Sequence, residues 1–251
     1  MSKPKFHFIL PIFNEEVNVE RLVKNLSAIA RTTGHEFDII AVNDGSNDRS
    51  LELLEKLKSV YPLTILNHPV NQGPGKAFQT GFQYIVSHFP ETDIGITMDA
   101  DNTHSEKTIQ MMIKAIEEGY ELIIASVFAP GGMMIGVPFL RYILTMGCNF
   151  LYRIFFPVRG IREYTGFYRG FPVRTLKAGY ERYGSSFLTA SGFAAMAEML
   201  IKLRQIPLFM REVPMIVRYD RKGGKSKMRI MRTVWEHLRI IGCNLFRRRI
   251  V

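Results

Sequence analysis

Short apolar runs alternate with amphipathic stretches along this chain, and this alternation narrows its possible folds more than any other feature. The apolar runs are residues 6–10, 37–42, 63–66, 94–98 and 121–127, lengths that suit buried strands rather than buried helices. Within residues 17–31, Val19, Leu22, Val23, Leu26 and Ile29 recur at helical spacing, and Leu51, Leu54, Leu57 and Val60 do the same after the second run. Residues 77–89 and 108–117 are likewise expected to be helical. Strand followed by helix, with short connections, predicts an α/β fold: a mostly parallel sheet with helices on both faces. The C-terminal ends of such strands gather at one edge, where ligands bind. The polar segments that close the runs are therefore expected to line a single cleft.

The segment 94–104, IGITMDADNTH, carries the most chemistry. Its apolar alternation delivers Asp99 and Asp101 at a strand end. Two carboxylates one residue apart repel each other, and a divalent cation with oxygen ligands relieves the repulsion. Mg²⁺ or Mn²⁺ held there can grip a substrate diphosphate. The plainer reading makes Asp99 a helix cap and Asp101 a solvated turn residue. Asp44, at the end of the second run, can accept charge-assisted hydrogen bonds from a nucleobase or ribose, or can belong to a simple Asn/Gly turn. Gly73 and Gly75 before Lys76 would let backbone approach a phosphate-rich ligand at a helix N-terminus.

The second half differs in character. The 251 residues are 47% apolar with a net charge of +10, and Arg and Lys crowd the region from Arg141 onward. This points to an anionic partner. Cues for nucleic-acid modules are absent, so no nucleic acid is expected. Cys148 and Cys243 lack metal or disulfide spacing and fit a reducing compartment. The apolar N-terminus runs into Asn14, Glu15 and Glu16 rather than a cleavage site, and the stretch 133–158 is broken by Gly136, Pro138, Arg141 and Arg153. Neither a secretory signal nor a membrane span is expected. A helix over 140–156 would carry Arg141, Thr145, Asn149 and Arg153 as a polar stripe on an apolar rod. A helix over 187–203 carries Glu198, strands fall in 208–219, and a basic loop follows at 220–227. Residues 228–251 set Met231, Trp235, Leu238, Ile241 and Leu245 against Arg232, Glu236, Arg239 and Arg247, and run into Arg248 and Arg249. Such a basic amphipathic helix suits a membrane surface.

Taken in order, Pro11-Ile12-Phe13-Asn14-Glu15, Asn43-Asp44-Gly45-Ser46, Gly75-Lys76, Asp99-Ala100-Asp101 with His104, Tyr164-Thr165-Gly166-Phe167-Tyr168-Arg169 and Gly224-Lys225-Ser226-Lys227 resemble the family 2 glycosyltransferases. Within that family they are similar to the dolichol-phosphate mannose synthase and polyprenyl-phosphate glycosyltransferase branch. The resemblance covers nearly the whole chain. It implies a glycosyltransferase A-type, Rossmann-like fold, a nucleotide-sugar donor such as GDP-mannose or a UDP-hexose, a divalent metal and inversion at the anomeric carbon. It sets Pro11, Asn14, Glu15, Asp44, Gly75, Lys76 and Asp99 against the donor, with Glu15 at the ribose, and gives Asp99 and Asp101 to the metal. The branch commonly has a Gln two residues after the second Asp; here Thr103 stands in that place beside Asn102, so a hydroxyl, an amide or water can complete the site, with Thr103 the expected protein ligand. Relatives often carry an Arg after the Ser that ends the fifth strand, whereas here Val127 follows Ser126, so either the headgroup site differs or Arg141 carries more of it.

A polyprenyl phosphate, with a second pKa of about 6, is already an oxyanion near neutral pH. It calls for cations rather than a general base, and Arg141, Arg169, Arg221, Lys225 and Lys227 can supply them. Asp101, Arg141, Arg221 and Lys227 are thus the expected catalytic residues. Residues 1–227 are expected to form the catalytic domain, with 133–158 as an interface segment inside it. Residues 228–251 would be a docking helix, and the protein peripheral on the cytoplasmic face of a membrane. A saccharide or protein hydroxyl acceptor would instead need Glu163 or Glu198 as base. A non-catalytic membrane-binding module on the same fold is the remaining alternative.

Overall fold

The structure is a computed structural model that describes residues 3–101, 106–221 and 230–247. Thr103, His104, Lys225, Lys227, Arg248 and Arg249 lie outside the described residues. The first half runs β1 (Phe6–Ile12), α1 (Val19–Thr33), β2 (Phe37–Asp44), α2 (Ser50–Lys58), β3 (Leu63–His68), α3 (Pro74–His88), β4 (Ile94–Thr97), α4 (Glu106–Glu117) and β5 (Leu122–Ser126). Then come β6 (Met133–Ile135), α5 (Phe139–Phe155), β7 (Arg169–Pro172), α6 (Val173–Tyr183), α7 (Ala195–Leu203), β8 (Met210–Pro214), β9 (Ile216–Arg218) and α8 (Ile230–Arg247).

Seven strands form one sheet in the order β3-β2-β1-β4-β7-β5-β8. Every neighbouring pair is parallel except those of β7, which runs antiparallel to β4 and β5. β6 and β9 make a separate parallel pair. The chain steps outward from β1 to β3, then returns to the other side of β1 with β4. That reversal opens a crevice at the C-terminal ends of β1 and β4, the place where open α/β sheets take ligands.

Strand alternation assigns the layers. Ile9, Ile40 and Val42 cluster with Phe78 and Phe82 of α3, Met196 of α7 and Ile240 and Ile241 of α8. Phe8, Leu10, Ile39 and Ala41 point the other way and cluster with Leu22 and Leu26 of α1, Leu54 of α2 and Met112 of α4. Each large aliphatic or aromatic side chain so buried stabilises the fold by about 1.5–3 kcal/mol.

α5 reverses the usual helix pattern. Its polar stripe faces the protein: Asn149 is buried, and its amide donates to the Thr145 carbonyl (3.0 Å) and Thr165 Oγ1 (3.1 Å) while accepting from the Tyr164 N–H (2.6 Å). Its apolar side faces outward, with Phe139 79%, Phe150 57% and Ile154 55% exposed. α8 lies beside it, with His237 Nδ1 2.9 Å from the Tyr152 hydroxyl. α8 has two apolar stripes where the sequence suggested one. Ile240 and Ile241 enter the core while Met231, Trp235 and Leu238 face outward, because Ile241 sits about 120° around the helix from Trp235. Among the described residues no helix is long and apolar enough to cross a membrane.

The sequence pattern marks no element where β7, wedged between β4 and β5, and α6 lie. The helix expected over 187–203 begins only at Ala195, because Glu198 draws the preceding segment into an irregular path by accepting from the N–H groups of Thr189 (2.7 Å) and Ala190 (2.8 Å).

Candidate active site

A cleft of about 330 Å³ occupies the crevice beside β1 and β4. Pro11 enters it from the end of β1, Phe13 and Glu15 from the loop that follows, Asp44 from the end of β2, Asp99 and Asp101 from the loop after β4, and Arg141 and Thr145 from α5. Asn14 has a left-handed backbone (φ 54°), a conformation that Asn tolerates better than most residues. The loop is fixed by cross-links to the end of β2: the Asn14 N–H donates to Ser46 Oγ (3.1 Å), and Asn14 Oδ1 accepts from the Asn47 N–H (2.8 Å). Glu15 is fixed in turn by its N–H to Ser50 Oγ (2.7 Å) and by Asn18 Nδ2 donating to its carboxylate (2.7 Å).

Asp44 is buried and its carboxylate is heavily engaged. Oδ1 meets the Gln72 N–H (2.9 Å) and His68 Nδ1 (2.8 Å), and Oδ2 accepts from the Gly73 N–H (2.8 Å). Asp44 thus holds the loop leading into α3. The expected approach of Gly75 and Lys76 to a phosphate is corrected by the position of Ser191, whose carbonyl accepts from both their N–H groups (2.7 and 3.2 Å). Gly73, with φ 96°, leaves room for the same carbonyl, since a Cβ there would come within 2.5 Å of it. Lys76 Nζ donates to Gln79 Oε1 (2.6 Å). The N–H groups of Gly75 and Lys76 are therefore covered by Ser191, and neither residue lines the cleft, although Pro74 at the start of α3 does.

Asp99 and Asp101 share one side of the chain because the alternation of β4 continues past its end. Met98 and Ala100 are buried in the core, and the two acids between and beyond them reach the cleft. Two carboxylates converging on one cavity supply the hard oxygen donors that suit Mg²⁺ or Mn²⁺, so the residues present fit such an ion.

The opposite wall comes from α5 and the segment after it. Arg141 Nη1 donates to the Tyr219 hydroxyl (3.2 Å), and its guanidinium lies 5.1 Å from the Tyr219 ring centre. Tyr219 also lines the cleft. The sequence reading passed over it, and its only signal was its position just ahead of the basic loop. Arg221 ends the short turn that follows β9. Glu163 lines the floor, where its Oε1 accepts from Thr165 N–H (3.1 Å), Thr165 Oγ1 (3.0 Å) and Gly166 N–H (3.0 Å). Burial pushes its carboxyl above the usual carboxylate range. Arg169 is not a cation offered to a ligand, as the sequence suggested. It is fully buried, donates to the carbonyls of Tyr164 (2.7 Å) and Gly166 (3.2 Å), and burial lowers its pKa to about 9 against the opposing pull of Glu163. Glu198 is likewise no base for the cleft. It is buried in an ion pair with Lys202 (2.5 Å) and also accepts from Thr189 Oγ1 (2.6 Å).

Residues 7–177 match the family model described as Glycosyl transferase family 2. The chain belongs to that family. The chain is 30% identical over 240 residues to a dolichol-phosphate mannosyltransferase of Pyrococcus furiosus, a match that covers 94% of the chain and 62% of that protein. Over 117 residues it is 33% identical to an undecaprenyl-phosphate 4-deoxy-4-formamido-L-arabinose transferase of Pectobacterium atrosepticum, covering 46% of the chain and 34% of the relative. The chain thus spans less than two thirds of either relative. Among solved structures, the glucosyl-3-phosphoglycerate synthase of Mycobacterium tuberculosis, in complex with Mn²⁺, UDP and phosphoglyceric acid, superposes with a TM-score of 0.65 at 14% identity, covering 98% of this chain and 78% of that one. The fold is therefore that of the glycosyltransferase A-type neighbours, a mostly parallel sheet between helices.

Proposed function

We propose that this family 2 glycosyltransferase moves a hexose from GDP-mannose or a UDP-hexose to a polyprenyl phosphate at a membrane surface, with inversion at the anomeric carbon. One observation carries the reading: α5 brings Arg141 and Thr145 into the same cleft as Asp99 and Asp101 while turning Phe139, Phe150 and Ile154 outward. A single helix thereby offers a phosphate a cation on one side and hydrocarbon a greasy face on the other. The mannosyl and arabinosyl transferases among the relatives carry lipid phosphates in their names, which agrees with this acceptor class.

In this scheme Pro11, Asn14, Glu15 and Asp44 hold the nucleotide. Asp99 and Asp101 would hold a Mg²⁺ or Mn²⁺ ion, with Thr103 as the candidate third ligand, and when bound the ion supplies positive charge to the departing diphosphate. Arg141, steadied by Tyr219 and assisted by Thr145, Arg221 and Lys227, orients the acceptor phosphate. Its oxyanion attacks the sugar C1 from the side opposite the leaving diphosphate. The C1–O bond to the acceptor forms as the C1–O bond to the diphosphate breaks, and no proton must be removed. Residues 1–227 would form the catalytic unit, with 133–158 as its interface segment. Residues 228–251 would add a second docking element through Met231 and Trp235, placing the enzyme peripherally on the cytoplasmic face.

Glu163 supports a second reading. It lies in the cleft, and burial raises its pKa, so a hydroxyl acceptor would find a base there. Glu163→Gln separates the two readings, since the amide oxygen can still accept the N–H bonds of Thr165 and Gly166. Phosphate-acceptor turnover should survive this change and hydroxyl-acceptor turnover should not. The primary test is a screen of GDP- and UDP-sugars in detergent with polyprenyl phosphate and Mn²⁺, followed through radiolabelled lipid product. Failure with all common donors would overturn the reading.

A further inference from the structure

A second cavity, of about 490 Å³, opens at the C-terminal end of α5 and shares no lining residue with the cleft. Arg153 of α5 and Arg162 of the following loop stand at its wall, together with Phe150 and Ile154. Arg153 is the fourth member of the polar stripe. The first two members serve the cleft and the third is buried, but Arg153 lies about 18 Å farther along the helix axis than Arg141, too far to share a phosphate held by Arg141. Both arginines are exposed, and neither side chain meets a carboxylate among the described residues. Among the described residues Arg162 Nη1 donates to the Phe128 carbonyl (3.2 Å), while the Arg162 backbone N–H donates to Glu212 Oε1 (2.6 Å).

We propose that this cavity seats the headgroup of an acidic membrane phospholipid, its phosphate on Arg153 and Arg162 and its acyl chain along Phe150 and Ile154. The inference rests on the membrane-surface reading above and adds an anionic-lipid site distinct from that of the acceptor. Charge selects the headgroup, and the adjoining hydrocarbon selects a lipid over a soluble anion, which would leave both apolar side chains in water. A lipid bound here would hold α5 with its apolar face down and the mouth of the cleft at headgroup level.

Flotation of the full chain with phosphatidylcholine vesicles, with and without phosphatidylglycerol, tests the site. The wild type should prefer the acidic vesicles. Arg153→Gln and Arg162→Gln should each lower that partition about fivefold, whereas Lys107→Gln with Lys114→Gln on α4, removing equal charge, should lower it far less. Equal losses from the two pairs would reduce the effect to net charge and overturn the site. Modification of Arg153 by phenylglyoxal, read by mass spectrometry, should be blocked by acidic vesicles and not by inorganic phosphate. Equal protection by inorganic phosphate would overturn the lipid assignment. Transfer to a short-chain acceptor in detergent should be unchanged in the Arg153→Gln, Arg162→Gln protein. Loss of that transfer in the wild type would count against the proposed function and leave the vesicle result standing on its own.

Discussion

In α1, Leu22, Val23, Leu26 and Ile29 are buried against the sheet while Arg21, Lys24 and Asn25 meet solvent; in α5, Asn149 is buried while Phe139, Phe150 and Ile154 are exposed. Both helices are amphipathic, and periodicity alone describes them equally well. The difference lies in what each face is for. The apolar stripe of α1 gains free energy by folding. The apolar stripe of α5 gains nothing in water, and its inward polar face builds a cleft instead. An exposed apolar surface of this kind marks an interaction site.

The sharpest way to break the comparison is to cut the inward cation of α5. Arg141→Ala should lower kcat/KM for a polyprenyl phosphate by roughly 10²–10³-fold, about 3–4 kcal/mol of lost charge-assisted binding, with vesicle flotation unchanged. Arg21→Ala on the outer face of α1 should change neither. If the two substitutions behave alike, the inward stripe of α5 has no part in transfer.

Core truncation comes next in size. Leu26→Ala in α1 should destabilise the fold by about 2–5 kcal/mol in urea titration. Phe150→Ala in α5 should stay within about 0.5 kcal/mol of wild type while weakening vesicle binding. A large stability loss from Phe150→Ala would mean that the outer face of α5 is already covered in the free protein.

The contrast also explains what the sequence could and could not reveal. β1 to β5 were legible because each is a short buried run with a turn behind it, and the pairing of Asp99 with Asp101 followed from alternation that also buries Met98 and Ala100. β7 was not legible, because the four residues Arg169–Pro172 include a glycine and a proline and become a strand only by tertiary pairing with β4 and β5. The irregular path of 187–194 was hidden for a similar reason: its apolar composition reads as helix, and only the remote carboxylate of Glu198 shows where its N–H groups go. Spacing identified the two faces of α5 but not which of them turned inward, since that depends on Tyr164 and Thr165, which complete the bonds of Asn149. The same limit applied to Arg169 and to Gly75, whose residue types suggested ligand contact and whose partners proved to be backbone carbonyls.

A pH series probes the seam between α5 and α8. Burial lowers the pKa of His237 from an ordinary 6.5 to about 4, and burial also lowers that of His7. Both imidazoles are therefore favoured neutral in the folded state, and the unfolded chain binds the extra protons. Stability is intact above about pH 6.5 and falls as pH drops from there toward 4, with at most about 3 kcal/mol lost through His237. Thermal melts across this window should show that loss, and His237→Gln should flatten its slope. α1 has no such seam, so hydrogen exchange under acid should rise first in α5 and α8. A uniform rise across both regions would remove the distinction.

The smallest effect concerns how Arg141 is held. Tyr219→Phe removes the acceptor of the Arg141 Nη1 hydrogen bond and keeps the ring beneath the guanidinium, so about 1 kcal/mol of positioning is at stake. The expected result is a roughly fivefold rise in KM for the lipid phosphate, with donor KM and melting temperature unchanged. Tyr219→Leu removes the ring as well and should add another few-fold, because the cation–π contact is worth about 0.5–1 kcal/mol at an accessible site. A purely structural role for Tyr219 would instead move stability and both KM values together. If Tyr219→Phe lowered turnover as far as Arg141→Ala, the hydroxyl itself would have to touch the acceptor, and Tyr219 would join Arg141 as a direct ligand of the attacking phosphate.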